Sequence, residues 1–250
     1  MRKPESSGRR FLRDVRRHGL AQVVLLLAAG GFAIQAQGET WTLPLPEGAN
    51  YRPLTSVPGW RLPGVFKTLE AASTGVRSAT ARASTADHAL AADAGIIPGR
   101  GLMRLKVTLR CRRDHAIWVG VGRDDIDRNG ELDWMECRLL VGLDRGRWGL
   151  RQNAMGETVW ARAILLVEGS ISTMEVVVDA ERGVMRSVHV TDNAARRTPA
   201  AFEHFDPDWS AMSSADATDW QMFRIGMRGE GAELLGLSLT VFEPSLLLIK

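Results

Sequence analysis

The sequence predicts an all-β protein, an antiparallel β-sandwich behind an N-terminal export signal. Three observations support that class. Apolar and polar residues alternate with period two over many short stretches. Gly-containing turns separate several of them. No long amphipathic helix intervenes across about 150 residues. The chain has 250 residues, 45% hydrophobic and 24% charged. That balance excludes collagen, a disordered chain and a multi-span membrane protein. Two Cys exclude a small disulfide scaffold.

Residues 1–38 read as a signal peptide or N-terminal membrane anchor, and residues 39–250 as the sandwich domain. The leader holds seven Lys and Arg against Glu5 and Asp14, a net +5. The body holds the remaining 25 basic and 27 acidic residues, a net −2, so nothing in its charge calls for nucleic acid. Basic residues precede an apolar run over residues 20–29, and small residues follow, with cleavage expected at Ile34-Gln35-Ala36 or Ala36-Gln37-Gly38. Ten residues are short for a span, which needs ~20. Gly8-Arg9-Arg10-Phe11-Leu12-Arg13 resembles a twin-arginine motif with its Phe-Leu pair one position early. The body is expected in the periplasm or outside the cell. The alternative is anchorage to the inner membrane by an uncleaved leader, its one contact with a membrane. Cys111 and Cys137 leave two readings open, a disulfide or two buried thiols.

In the body, residues 39–60 are rich in Pro and read as an extended lead-in. Residues 70–94 carry many Ala, Ser and Thr and leave strand and helix open. Residues 97–101 are a turn signal. Met103, Leu105, Val107, Leu109 and Cys111 then alternate with Arg104, Lys106, Thr108 and Arg110. A strand puts each set on its own face, whereas a helix would mix them. Further strands are expected over 115–121, 137–143, 147–152, 159–167, 173–179 and 184–191. Phe223, Ile225 and Met227 form another, and Leu235, Leu237, Leu239 and Val241 the last. Asp144-Arg145-Gly146 and Glu181-Arg182-Gly183 place Gly where a hairpin needs positive φ. Residues 193–219 read as a long polar loop. The Gly226–Gly231 run reads as a hairpin, Arg224 and Arg228 as a solvated face, and the tryptophans as core.

The chemistry concentrates in residues 124–136. From Asp125 to Glu136 the stretch resembles the EF-hand calcium loop. Asp125, Asp127 and Asn129 stand at positions one, three and five, and Gly130 at the sharp turn. Glu131 would offer its backbone carbonyl, Asp133 would act through water, and Glu136 would be the bidentate ligand. Ca²⁺ needs six to eight oxygens, and clustered carboxylates repel one another without a cation. The flanks read as strands rather than EF-hand helices, so the resemblance implies a solitary calcium clip between two strands.

The same stretch also resembles the signature of laminarinases and lichenases, retaining β-glucanases on a concanavalin-like jelly roll. Gly130-Glu131-Leu132-Asp133-Trp134-Met135-Glu136 matches their Gly-Glu-Leu-Asp-x-x-Glu. That resemblance implies Glu131 as nucleophile, Glu136 as acid/base and Asp133 as the residue tuning them. The chain departs from the family in having one Tyr and 6% aromatics. The fold expected is therefore a concanavalin-like (LamG- or laminarinase-like) jelly roll. The function expected is an exported, calcium-binding, non-catalytic module for carbohydrate or another cell-surface component. The alternative is a retaining endo-β-glucanase.

Overall fold

The computed structural model describes residues 39–63, 67–89, 101–151, 158–161, 166–179, 184–191, 197–199 and 220–242. All belong to the second of two units, Gly38–Lys250. The leader, the Glu181–Gly183 turn, most of the 97–101 turn and most of 193–219 lie outside the described residues. Among the described residues no helix is long and apolar enough to cross a membrane.

Among the described residues, sixteen short strands make two antiparallel sheets. They are β1 (Glu39–Thr42), β2 (Arg52–Pro53), β3 (Trp60–Arg61), β4 (Leu69–Ala72), β5 (Gly75–Ser78), β6 (Ser84–Ala89), β7 (Leu102–Arg110) and β8 (Ala116–Gly122). Then come β9 (Cys137–Asp144), β10 (Arg147–Arg151), β11 (Val159–Trp160), β12 (Ile171–Asp179), β13 (Val184–Thr191), β14 (Arg197–Pro199), β15 (Met222–Arg228) and β16 (Glu233–Phe242). One sheet runs β14-β13-β12-β7-β16-β5-β4-β2, with β1 also paired to β16. The other runs β11-β10-β9-β8-β15-β6-β3. Residues 39–60 and 70–94, left open or extended in the sequence, thus supply strands at the flanks of both sheets.

Alternation decides which face is buried. Met103, Leu105, Val107 and Leu109 of β7 and Met174, Val176 and Val178 of β12 point inward from one sheet. Ile117, Val119 and Val121 of β8, Leu139, Val141 and Leu143 of β9, and Phe223, Ile225 and Met227 of β15 meet them from the other. These side chains form one core, whose burial from water is the main force holding the sheets together. Trp148 is sealed inside it, its Nε1–H donating to Ser172 Oγ at 2.8 Å. The Asp144 to Arg147 connection is a two-residue hairpin with φ of 51° at Arg145 and 73° at Gly146. Positive φ at both centres is the type I′ geometry that matches strand twist.

Two sequence expectations are corrected, and one open reading is decided. Leu235 does not continue the inward row of β16. Leu234 pairs with Leu109 and Gly236 with Thr108, so Leu235 is the extra residue of a bulge, and Leu234 is the buried one. The Gly226–Gly231 run is no hairpin, because β15 and β16 belong to different sheets and the run crosses between them. Cys111 and Cys137 are both buried free thiols. Cys111 lies in the main core, while Cys137 packs on the opposite face of its sheet with Leu132 and Leu140.

A loop and a groove on the outer face of the seven-stranded sheet: candidate functional site

The connection from Gly122 to Cys137 joins neighbouring strands β8 and β9 but does not loop into solvent. It lies on the outer face of its sheet, where Leu132, fully buried, packs with Cys137, Leu140, Trp118, Trp134 and Met222 into a second small core. Gly130 takes φ of 82° at the bend. Arg61 Nη1 donates to the Gly130 carbonyl at 2.8 Å.

Beneath the loop lies a buried charge pair. Arg224, 4% exposed, donates through Nε and Nη2 to the Asp87 carboxylate at 2.7 and 2.8 Å and through Nη1 to Asp133 at 3.2 Å. Asp87 also accepts the Leu132 N–H at 3.0 Å. Burial alone would push the guanidinium down; the hydrogen bonds and charge of Asp87, then Asp133, outweigh it and hold Arg224 above its ordinary value. The solvated-face reading of Arg224 is therefore corrected. The loop covers its strand position, and two acids replace the water. Burial pushes the Cys137 thiol far up, so it stays protonated and inert.

The predicted ligand residues do not all converge on one point. The Glu136 carboxylate, fully buried, accepts the N–H groups of Asp125 and Ile126 at 3.0 and 2.7 Å on Oε1 and that of Asp133 at 2.8 Å on Oε2. Asp125 pairs with Arg138. Asp127 accepts from the Asn129 amide at 2.7 Å, and Asn129 Oδ1 accepts the Glu131 N–H at 2.7 Å. Asp133 faces Arg224. An EF-hand directs oxygens at a cation; here backbone N–H groups converge on a carboxylate. Two of the predicted ligands, Asp127 and Glu136, do come together, joined by Asp124. Oxygens of Asp124, Asp127 and Glu136 lie within 4.8 Å of one another and form an acidic cluster able to hold a metal ion. Asp124 Oδ2 accepts the Gly130 N–H at 2.5 Å, while its Oδ1 is buried without a hydrogen-bond partner. All three donors are hard oxygens, which suit a hard cation. Glu131 stands outside this cluster, half-exposed. As general acid, Glu136 would need a free oxygen at the scissile bond. Both of its oxygens are held by amides.

The loop also brings an indole to the sheet. Trp134 lies over Gly226 and Gly120: a Cβ on Gly226 would meet Trp134 Cζ2 at 2.4 Å. Trp118 lies across Gly142 and Gly149 in the same way, with Cβ positions 2.6 and 3.0 Å from its ring, and Trp160 stands edge-on to it at 6.2 Å. The glycines let the indoles lie against the backbone. Beside Trp118 and Trp134 runs a groove of about 280 Å³ that crosses β6, β15, β8 and β9, with Thr85, Gly226, Asp144 and Arg228 among its lining. Trp118, Trp134 and Trp160 are half-exposed. Trp148 and Trp220 are sealed in the main core as expected, whereas these three are only partly buried, Trp118 and Trp134 against the second small core. Sequence reasoning missed Asp87, Asp124 and the groove. The signal for the groove was glycine at 142, 149 and 226, each opposite Trp118 or Trp160 on a neighbouring strand.

No protein-family model matches the chain, and no curated protein does. Among solved structures it is similar to the globular domain of T. cruzi calreticulin, with a TM-score of 0.49 and 10% identity over 76% of this chain and 87% of that one. It is similar to the basic winged bean lectin solved with Tn-antigen, with a TM-score of 0.45 and 9% identity over 82% and 98% of the two chains. Arcelin-5, a lectin-like defence protein of Phaseolus vulgaris, gives a TM-score of 0.45 and 10% identity over 83% and 100%.

Proposed function

We propose that this protein is an exported, non-catalytic module that binds carbohydrate on the outer face of its seven-stranded sheet. The observation that supports it is the groove beside Trp118 and Trp134, with Asp144 and Arg228 at its rim. Sugar rings present apolar C–H faces and hydroxyl edges. Flat indoles take the first and rim polar groups take the second. Export rests on the basic-then-apolar leader alone. Titration of the purified body against a glycan panel tests the binding. Trp118→Ala should weaken binding about tenfold or more, a stacking loss of roughly 1.4 kcal/mol or above, while the circular dichroism spectrum stays that of a β-protein. Unchanged affinity overturns the site. Release of reducing ends from β-glucans by the wild-type protein would favour the hydrolase instead.

We also assign Ca²⁺ to Asp124, Asp127 and Glu136, because the donor set is all oxygen and Asp124 Oδ1 lacks a partner. At ~100 Kd, Ca²⁺ should add ~2.7 kcal/mol to stability, read as a rise in Tm reversed by a chelator. Asp124→Asn should abolish that rise and Asp125→Asn should largely keep it, since Asp125 faces Arg138. The EF-hand spacing makes the opposite forecast for Asp125. A Tm indifferent to both calcium and chelator removes the assignment.

A further inference from the structure

The groove is bordered by two rows that run across the strands, and their register gives the chemistry of the ligand. Pairing places Gly226, Trp118, Gly142, Gly149 and Trp160 side by side on successive strands from β15 to β11. Two residues along the same strands, about 6.6 Å away, Arg228, Ala116, Asp144 and Arg147 stand side by side from β15 to β10. One row is glycine and indole; the other is charged. Successive strands lie ~4.8 Å apart, so Arg228 and Arg147 are separated by three spacings, roughly 14 Å.

The charges of the second row are not spent as those under the loop are. Arg224 and Arg138 face Asp87, Asp133 and Asp125. At the groove, Arg228 is 55% exposed and shares Asp144 at 3.5 Å, while exposed Arg147 reaches over the Trp160 ring at 5.5 Å. Arg145 is exposed in the turn between Asp144 and Arg147. Arg228 and Asp144 line the groove itself, and Arg147 and Arg145 extend the charged row beyond it along β10 and its turn, so the row carries three guanidinium groups against the Asp144 carboxylate.

We infer that the groove takes a linear anionic polysaccharide, bearing carboxylate or sulfate along its length, that lies across the strands between these two rows. Resting on the carbohydrate reading, this names the ligand's class. Sugar faces pack on Trp118 and Trp160, and acidic groups on successive units meet Arg147 and Arg228. Guanidinium groups suit both oxyanions because their planar fork donates two parallel hydrogen bonds. A groove crossing several strands suits internal units of a chain better than a chain end. Asp144 between the arginines argues against a nucleic acid, whose phosphates are dense and require uninterrupted positive charge.

Calorimetric titration tests this with polygalacturonate, the same polymer after carboxyl reduction, a sulfated galactan and a single-stranded oligonucleotide. Polygalacturonate or the sulfated galactan should bind at least about tenfold more tightly than the reduced polymer. Whichever binds better identifies the oxyanion. That advantage should shrink as salt rises from about 0.05 to about 0.5 M. Arg147→Gln with Arg228→Gln should bring the charged polymer down to the level of the reduced one at unchanged Tm. Equal, salt-indifferent binding of charged and reduced polymers overturns the inference and leaves the carbohydrate site standing. Failure of every polysaccharide to bind overturns both. An oligonucleotide that binds as tightly as the best polysaccharide assigns the groove to a different macromolecule and overturns both as well.

Discussion

Replacing Arg224 with Met should cost about 3–5 kcal/mol, the range for removing one partner of a buried ion pair. Arg224 is 4% exposed and the Asp87 side chain fully buried. Without the guanidinium, Asp87 keeps one donor, the Leu132 N–H, and remains an uncompensated charge among apolar groups. Asp133 loses its partner too. For a domain of this size the loss corresponds to a fall in Tm on the order of 10 °C, measurable by thermal or urea denaturation. Adding Asp87→Leu should restore much of it, because an apolar pair of similar volume is often as stable as the ion pair. Recovery should stop short by about 1–3 kcal/mol, the cost of leaving the Leu132 N–H without an acceptor. If the single and double variants melt together with the wild type, the pair does not hold the loop.

Glu136→Leu should detach the loop. Three backbone N–H groups, those of Asp125, Ile126 and Asp133, end on this carboxylate. Each unsatisfied buried donor costs about 1–3 kcal/mol, so the loss should reach roughly 3 kcal/mol or more. Trp134 begins the turn that Glu136 ends, so the indole should leave Gly226 and its fluorescence should shift to the red. Limited proteolysis should cut within residues 123–136. Glu131→Gln, a half-exposed change at the residue after the Gly130 bend, should stay within about 0.5 kcal/mol of wild type. If calcium alone organised the loop, Glu136→Leu would behave like any loss of one ligand, and excess Ca²⁺ would restore the packed Trp134. The amide hub predicts that it does not.

Much of the fold was legible because a strand's period is exact in sequence. Met103 to Arg110 shows it without interruption, and the strand lies within one residue of the expected bounds. Leu235 was misplaced because a bulge shifts that period by one, and no residue type announces it. The flanking strands from Leu69 to Ala89 escaped assignment because Ala, Ser and Thr carry little periodic contrast. At the site, spacing identified the bend at Gly130 but not the destination of the carboxylates. Whether Asp125 faces an ion or Arg138 depends on a strand residue thirteen positions later. Arg224 looked solvated because it alternates with the inward-facing Phe223 and Ile225; only the docked loop makes the position interior. Asp87 carried no motif at all, since its role comes from a partner 137 positions away.

The pairing of β1 with β16 bears on the order of assembly. Glu39 lies opposite Val241, and β16 is also bonded to β7 and β5. The last described strand is thus the keystone of its sheet, flanked by segments made much earlier in synthesis. Until residues 233–242 leave the ribosome, β7 and β5 have bare edges and the larger sheet cannot close. Such non-local closure makes for slow folding, and a chain released early, even by twenty residues, would be a template for aggregation rather than a slightly shortened protein.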